Sequence, residues 1–170
     1  TMGGYMKDLK WIQKGYFAHR GLYNNKDIPE NTIKAFKNAS ENGYDIELDI
    51  RETKDKELVV FHDENMHRLC GVNLLLKDYL YKEINHYKIL NTDQTIPLLK
   101  ETLKAIPSNV KLLIEFKQMT YPKMMVDKFM NIMQRFDHTY AIHSYDPRIV
   151  RAFKKQYPGI IRGQIAETFP

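Results

Sequence analysis

The sequence predicts an α/β protein whose sheet is built from parallel strand–helix–strand units. Two observations indicate this class. Short runs of β-forming residues alternate with segments whose apolar residues recur every three or four positions. The helical patterns between these runs are about 10 to 15 residues long, which favours parallel strands joined by helical crossovers. Active sites of such sheets gather where strands end, so polar residues at strand ends are the first functional candidates.

Length and composition indicate one folded domain. The chain has 170 residues, of which 43% are hydrophobic and 28% are charged, values close to those of globular proteins. We therefore expect a single domain over residues 1–170. Lysine and arginine number 26 against 21 acidic residues, a net charge of +5. This charge favours phosphate-bearing partners but is too small for a nucleic-acid-coating protein, so no nucleic-acid partner is expected.

Cysteine content and hydropathy exclude two further classes. The single cysteine, Cys70, rules out an internal disulfide and a multi-cysteine zinc site. No apolar run approaches the about 20 residues that a membrane helix needs. Residues 1–14 have neither the apolar core nor the cleavage site of a signal peptide. We expect a cytoplasmic protein with no transmembrane segment in this chain, and attachment to a membrane surface or through an upstream anchor is the alternative.

Local patterns place the elements along the chain. Residues 15–19 form the first strand, and residues 31–42 form an amphipathic helix that Asn31 or Thr32 can cap and Gly43 can close. Further strands are predicted at 44–50, 57–62, 110–116, 139–143 and 160–163, and further helices at 98–105, 123–136 and 147–156. The prediction therefore contains six strands.

Four of these strands end in charged or imidazole side chains, namely His19 with Arg20, Glu47 with Asp49, His62 with Asp63, and Glu115 with Lys117. Residues two apart on a strand share a face, so three carboxylates can converge. Converging carboxylates repel one another, and a hard cation such as Mg²⁺ or Ca²⁺ relieves that repulsion. Ligands that are all oxygen argue against zinc. Taken singly, each group is more typical of a solvated or structural charge, and it is the joint pattern that favours a functional site.

Two histidines beside a metal-bound anion suit acid–base catalysis, because imidazole titrates near neutral pH. Cleavage of a phosphodiester requires one imidazole to take a proton from the attacking hydroxyl and the other to protonate the departing alkoxide. Arg20, Lys117 and a metal would offset the charge on the phosphoryl oxygens. The residues therefore suit phosphodiester hydrolysis.

The same residues stand in motifs that run through nearly the whole chain. In order, these are His19-Arg20-Gly21, Pro29-Glu30-Asn31-Thr32, Ile46-Glu47-Leu48-Asp49, Thr53-Lys54-Asp55, Val60-Phe61-His62-Asp63, Arg68-Leu69-Cys70-Gly71, Ile96-Pro97, Ile114-Glu115-Phe116-Lys117 and a looser His143-Ser144-Tyr145-Asp146-Pro147. This ordered set resembles the glycerophosphodiester phosphodiesterase family.

The resemblance implies a (β/α)₈ barrel of the TIM type that hydrolyses glycerophosphodiesters to glycerol 3-phosphate and an alcohol with a divalent cation. It assigns Glu47, Asp49 and Glu115 to the metal, His19 and His62 to proton transfer, and Arg20 and Lys117 to the phosphate. We take His19 as the base and His62 as the acid, and the opposite direction stays open. Either water or the glycerol hydroxyl of the substrate can be the first nucleophile.

Residues 29–32 are predicted to be structural by contrast. Proline shapes the loop, and Asn31 or Thr32 caps the following helix. Glu30 is the member of this segment that can orient a histidine. The segment is therefore kept outside the catalytic set.

Chain length conflicts with a complete barrel. Such a barrel takes about 250 residues, whereas this sequence reaches Pro170 just after the sixth predicted strand. We expect an incomplete barrel that lacks its C-terminal part, as a fragment of a longer enzyme in preference to a natural short form or a non-catalytic remnant. Open sheet edges invite pairing, so a homodimer through the open edge is a further expectation.

Two other functions fit the sequence less well. A phosphatidylinositol- or sphingomyelin-cleaving phosphodiesterase also places two histidines around a phosphodiester, but the pairing of Glu47 and Asp49 with the Glu115-Phe116-Lys117 motif favours the first assignment. A catalytically impaired domain would instead use its open sheet for binding or assembly. Metal-dependent release of glycerol phosphate separates an enzyme from such a domain.

Overall fold

The computed structural model describes residues 9–166, and this range contains a six-stranded sheet flanked by helices. The strands are β1 Phe17–His19, β2 Asp45–Glu52, β3 Leu58–Val60, β4 Leu112–Phe116, β5 Tyr140–Ser144 and β6 Arg162–Gln164. The helices are α1 Lys10–Lys14, α2 Ile33–Glu41, α3 His67–Cys70, α4 Tyr81–Ile84, α5 Leu99–Ala105, α6 Pro122–Met133 and α7 Pro147–Gln156, with a 3₁₀ turn at Leu76–Asp78. None of the described helices has the length and hydrophobicity needed to cross a membrane. The predicted domain limits, residues 1 and 170, lie outside the described range.

Five of the six strands run parallel, in the order β1-β2-β4-β5-β6. Each parallel strand lies beside the next one along the chain, and a helix fills each of the connections up to β6. Sequential parallel strands with helical crossovers are the arrangement of an α/β barrel. The predicted fold class, an incomplete α/β barrel, is therefore confirmed.

The direction of β3 differs from the parallel arrangement that the sequence favours. β3 pairs antiparallel with β2, with Ile50 opposite Val60 and Glu52 opposite Leu58. Residues 53–57 connect the two strands, and a parallel crossover needs a dozen or more residues. The turn is closed by the Thr53 amide, which donates to the Glu57 carbonyl at 3.1 Å. Within residues 9–166 the structure has the predicted six strands, and five of these belong to the parallel barrel series.

The main core lies between the sheet and helices α2, α5, α6 and α7. Alternation along the strands sends apolar side chains to this side and charged ones to the other. Three phenylalanines, Phe116 of β4, Phe129 of α6 and Phe153 of α7, meet edge to face with ring centroids 4.8, 5.3 and 5.8 Å apart. Such contacts add to the apolar burial, so two helices are held rigidly against β4.

The segment between β3 and α5, for which the sequence predicts no element, forms a second apolar cluster. Two short helices and the 3₁₀ turn enclose Phe61, Met66, Leu69, Leu76, Ile84, Ile89 and Ile96. The free thiol of Cys70 packs against this cluster. Because Phe61 is buried in it, the chain is anchored immediately before His62.

Candidate active site

Charged side chains occupy the face of the sheet that points away from the helices. The parallel register places Glu47 opposite His19, and it places Glu115 opposite both Asp49 and His143. Residues opposite one another on neighbouring strands project to the same side. Four strands therefore contribute to one polar cluster near their carboxyl ends.

A sharp turn after β1 brings two predicted site residues onto β2. Arg20 and Gly21 both have a positive φ, 58° and 80°. The Arg20 amide donates to Glu47 Oε2 at 3.2 Å, and His19 Nε2 lies 3.6 Å from the same oxygen. A Cβ at Gly21 would lie 2.8 Å from the Ala35 Cβ in α2, so glycine allows the close approach of this helix.

Glu47, Glu115 and His143 form a group that can hold a metal ion. One ligand atom from each lies within 4.8 Å of the others, and His143 Nε2 is 3.9 Å from Glu47 Oε1. Within residues 9–166, His143 Nε2 is buried without a hydrogen-bond partner. Glu115 Oε2 is also buried and contacts the Lys117 ammonium without forming a regular hydrogen bond. A buried polar atom without a partner is costly, and binding a divalent cation would satisfy His143 Nε2 and give Glu115 Oε2 a further cationic partner.

Asp49 has different neighbours. Its Oδ2 accepts a hydrogen bond from Asn31 Nδ2 at 3.0 Å and lies 3.7 Å from Arg20 Nε. Its Oδ1 lies 3.8 Å from Lys117 Nζ. Burial raises the pKa of Asp49 above its ordinary value and the Glu115 carboxylate adds to the rise, while the Asn31 hydrogen bond and the Lys117 charge oppose it.

The ligand group thus differs at one position from the expected set of Glu47, Asp49 and Glu115. The structure groups both glutamates with His143, which lies opposite Glu115 on β5. The only sequence signal for His143 was its place in the looser final motif. Because the group contains an imidazole nitrogen, the argument against zinc from ligands that are all oxygen no longer applies.

His62 reaches the site because β3 runs back along β2. The Phe61 amide donates to the Asp49 carbonyl at 3.1 Å, which places the next residue beside the carboxylates. Arg51 Nε donates to the His62 carbonyl at 2.6 Å, and His62 Nδ1 lies 2.7 Å from Asp63 Oδ1. Both the backbone and the ring of the predicted proton-transfer residue are therefore held.

A buried carboxylate, Glu30, joins two arginines behind the site. It accepts from Arg20 Nη1 at 2.8 Å, from Arg68 Nη1 and Nη2 at 2.7 and 3.0 Å, and from Asn25 Nδ2 at 2.9 Å. Arg68 also donates to Asp63 from Nε and Nη2 at 2.8 and 3.1 Å. Burial raises the pKa of each carboxyl, but hydrogen bonds, chiefly from Arg68, more than offset it, so the pKa of Glu30 is lowered and that of Asp63 falls to about 2.

The segment predicted to be structural, residues 29–32, contributes to both the fold and the site. Thr32 caps α2, as one of the two predicted alternatives. Asn31 binds the Asp49 side chain, and its amide donates to the Arg20 carbonyl at 2.8 Å. Glu30 holds the Arg20 guanidinium. The sequence signal for these contacts was limited to the polar character of residues 30–32, which stand in one of the motifs.

Comparison with known sequences identifies a protein family that this chain matches. The model of the glycerophosphoryl diester phosphodiesterase family matches residues 19–167. A glycerophosphodiester phosphodiesterase of Caldanaerobacter subterraneus is 36% identical over 153 residues, covering 83% of this chain and 62% of that protein. Human lysophospholipase D GDPD1 is 31% identical over 166 residues, covering 81% of this chain and 51% of that protein.

Solved structures give the same relationship at the level of the fold. A phosphodiesterase of Oleispira antarctica, in complex with the product sn-glycerol-3-phosphate, matches with a TM-score of 0.82 at 22% identity, covering 92% of this chain and 67% of that one. A Thermotoga maritima glycerophosphodiester phosphodiesterase matches with a TM-score of 0.72 at 28% identity, covering 89% and 62%. The chain spans about half to two thirds of the length of these proteins. By the extent of the family match, the chain belongs to the glycerophosphoryl diester phosphodiesterase family.

Proposed function

We propose that this protein hydrolyses glycerophosphodiesters to glycerol 3-phosphate and an alcohol in a metal-dependent reaction. One observation carries the proposal: histidines, cations and carboxylates from separate segments gather around the carboxyl ends of the strands. The proposed residues are His19, His62, Arg20, Lys117, Glu47, Asp49 and Glu115, joined by the contacts described above. Relatives named glycerophosphodiester phosphodiesterase support this reaction class.

Arg20 and Lys117 are the proposed phosphate ligands. Arg20 is held from behind by Glu30, and its buried Nε has no hydrogen-bond partner in the described part of the chain. The Lys117 ammonium lies beside Asp49 and Glu115. A phosphodiester anion here would receive charge-assisted hydrogen bonds, which are stronger than neutral ones. These cations would also stabilise the charge that develops on the phosphoryl oxygens.

His19 and His62 are the proposed proton carriers. His19 takes the proton of the attacking hydroxyl as its oxygen bonds to phosphorus. His62 gives a proton to the departing alkoxide as the bond from phosphorus to the alcohol oxygen breaks. Asp63 occupies His62 Nδ1, so Nε2 is the nitrogen that transfers the proton. Water and the glycerol hydroxyl of the substrate are both compatible with this scheme as the first nucleophile.

Glu47 and Glu115 would hold the divalent cation, with His143 or Asp49 as the third protein ligand. When bound, the cation would polarise the phosphoryl oxygens as a Lewis acid. We propose Mg²⁺ or Ca²⁺ because carboxylates, their usual ligands, form most of either set. Calorimetric titration of metal-free protein with each ion, with metal-loaded protein as the reference, measures which ion is bound.

A turnover assay tests the proposed function. Glycerophosphocholine, glycerophosphoethanolamine and a lysophospholipid are incubated with the protein, with and without chelator, and glycerol 3-phosphate and free alcohol are measured. We expect glycerol 3-phosphate to be released from the first two substrates, and we expect the chelator to abolish this release. His86→Ala is the matched control, because His86 is an exposed histidine outside the site. Folded protein that releases no product at any metal concentration would contradict the proposal.

Two observations favour second candidates. The human relative is named lysophospholipase D, so release of choline from the lysophospholipid would extend the substrates to this class. Within residues 9–166, β1 and β6 each have one edge without a partner strand, which favours binding, assembly or a homodimer through that edge. Absence of turnover together with a stable dimer would support the second candidate.

The cytoplasmic location, the role in lipid metabolism and the lack of a nucleic-acid partner stay predictions, to be tested by fractionation, metabolite profiling and binding assays.

A further inference from the structure

A continuous line of ion pairs joins two sides of the candidate active site. It runs from Arg20 through Glu30 and Arg68 to Asp63 and ends on the His62 ring. Its hydrogen bonds measure 2.7 to 3.1 Å, and four of the six, at 2.7 to 2.8 Å, have the short length of charge-assisted bonds. The two ends of the line are the proposed phosphate ligand and the proposed general acid, whereas the three middle residues have no part in the proposed chemistry.

The shape of the guanidinium is essential to this line. Arg68 Nη1 and Nη2 reach both oxygens of Glu30, and Nε and Nη2 reach both oxygens of Asp63. A planar fork can bridge two carboxylates in this way, whereas a lysine ammonium is a point charge. The Glu30 side chain is 1% exposed and that of Arg68 is 46% exposed. A surface residue therefore organises a buried carboxylate, and it can be changed without opening the core.

The ionisation of Asp63 determines whether His62 carries its proton on Nδ1. The pKa of Asp63 is lowered to about 2 because hydrogen bonds from Arg68 and His62 outweigh burial. Asp63 is therefore a carboxylate at neutral pH and can only accept a hydrogen bond. The 2.7 Å contact then requires His62 to donate from Nδ1.

We propose that Arg68 and Glu30 are positioning residues that hold the orientation and tautomer of His62 together with the placement of Arg20. This inference rests on the proposed phosphodiesterase function. Without the Arg68 fork, the Asp63 carboxylate can take other rotamers, so the His62 ring loses its fixed partner. If the Glu30 carboxylate is removed, the two arginines, Arg20 and Arg68, lose the buried negative charge that both of them contact.

The first test separates kcat from KM. Arg68→Met removes both bridges but keeps a similar apolar stem, and we expect kcat to fall about 10- to 100-fold, as for other supporting partners of active-site groups. KM should stay within about twofold because Arg20 keeps its bond to Glu30. Arg68→Lys should recover only a small part of kcat. Arg162→Met is the matched control, since within residues 9–166 the Arg162 side chain donates to the backbone carbonyls of Pro158 and Ile160, away from the site.

The second test asks whether Arg68 acts through His62. In a His62→Ala background, adding Arg68→Met should change the residual rate by less than about twofold, because the group that it positions is gone. An additional tenfold loss in the double variant would show a general structural role and overturn the proposal. An unchanged kcat in the single Arg68→Met variant would also overturn it.

The third test does not depend on turnover or on metal. Protein labelled with ¹⁵N-histidine is examined by NMR at about pH 8.5, where free imidazole is neutral, and the His62 signals are assigned by their loss in His62→Ala. We expect the Nδ1–H tautomer in the unaltered protein and a mixture of tautomers in Arg68→Met. The same tautomer in both proteins would contradict the coupling. If the unaltered protein shows no turnover, the proposed function fails, whereas the tautomer measurement still decides whether Arg68 controls His62.

Discussion

At the scale of single residues, compensation of buried charge explains which groups lie together. Asp49 is 1% exposed and Glu47 is 6% exposed, so neither carboxylate is surrounded by water. Arg20 and Lys117 lie within 4 Å of Asp49. Burying a charge without a partner is costly. The cations that we assign to phosphate therefore also make the carboxylate cluster compatible with folding.

Loss of either histidine should remove most turnover. General acid or base catalysis contributes typically 10²- to 10⁴-fold, so we expect His19→Ala and His62→Ala each to lower kcat by at least about 100-fold. The midpoint temperature of thermal unfolding should change little in His19→Ala, because the His19 ring is exposed. Turnover in either variant equal to that of the unaltered protein would exclude the proton-transfer role.

Calorimetry distinguishes the two candidate metal sets. Glu47→Gln is expected to weaken Mg²⁺ or Ca²⁺ affinity at least tenfold, because Glu47 belongs to both sets. If the described group binds the ion, His143→Gln weakens affinity about 10- to 100-fold and Asp49→Asn does so much less. The reverse order would support the set that the motifs imply. Unchanged affinity in all three variants would place the metal elsewhere.

Acid should destabilise the fold through Asp63. Its folded-state pKa of about 2 lies below the about 3.9 of an unfolded aspartate. The ion pair with Arg68 therefore stabilises the protein fully above about pH 4, and this contribution is lost as the pH falls towards 2. Asp63→Asn should lower the urea midpoint at pH 7 and flatten its fall between about pH 4 and 2. An unchanged slope in the variant would refute this assignment.

At the scale of elements, two departures from a simple strand–helix repeat build the site. The hairpin of β2 and β3 returns His62 to the carboxylates, and the turn after β1 presents Arg20 to both Glu47 and Glu30. Each depends on backbone geometry at a few positions. Gly21 is the clearest case, because it combines a positive φ with close contact to α2.

Two glycines of similar φ separate backbone strain from crowding. Gly21 and Gly43 have φ of 80° and 78°, but a Cβ at Gly43 would meet nothing within 4 Å. Gly43→Ala should cost about 1 kcal/mol of unfolding free energy from the left-handed conformation alone. Gly21→Ala should cost roughly 2 to 4 kcal/mol, because crowding against Ala35 adds to that strain. Equal urea denaturation midpoints for the two variants would show that the crowding is relieved without cost.

At the scale of the whole molecule, the two faces of the sheet differ: one is apolar and covered by helices, and the other is polar. The helices cover one face with a continuous core, and the charged residues of the site lie on the other. Among the described residues, β1 and β6 form the two ends of the parallel series. The proposed site residues thus lie on the face that is turned away from the helices, which in a complete barrel is the inner face.

The edges of β1 and β6 that have no partner strand within residues 9–166 should promote self-association of this chain. Strand edges with free backbone groups pair readily with other chains. Light scattering after size exclusion is expected to give a mass above that of one chain, increasing with protein concentration. A monodisperse monomer over the full concentration range would contradict this expectation, and it would show that the edges are covered.

Local patterns were sufficient for the class and for most of the elements. The helix at 147–156 has the predicted ends, since Asp146 caps it through the Arg148 amide and Pro147 starts it. The predicted strands agree to within about two residues because alternation and turn residues are local properties. The helix predicted to reach residue 136 ends at Met133, since the apolar pattern continues beyond the helical turn. Residue types at the strand ends were enough to name the proposed site.

Contacts between segments that are distant in the sequence could not be predicted from local patterns and are seen only in the folded chain. The direction of β3, the place of His143 beside Glu115 and the bridge from Arg68 to Glu30, 38 positions apart, appear in no local pattern. They depend on which strands become neighbours and on the register in which they pair. The energy of strand pairing comes from the whole sheet and its two apolar clusters. The spatial partners of the proposed catalytic residues are therefore defined only when these parts pack together.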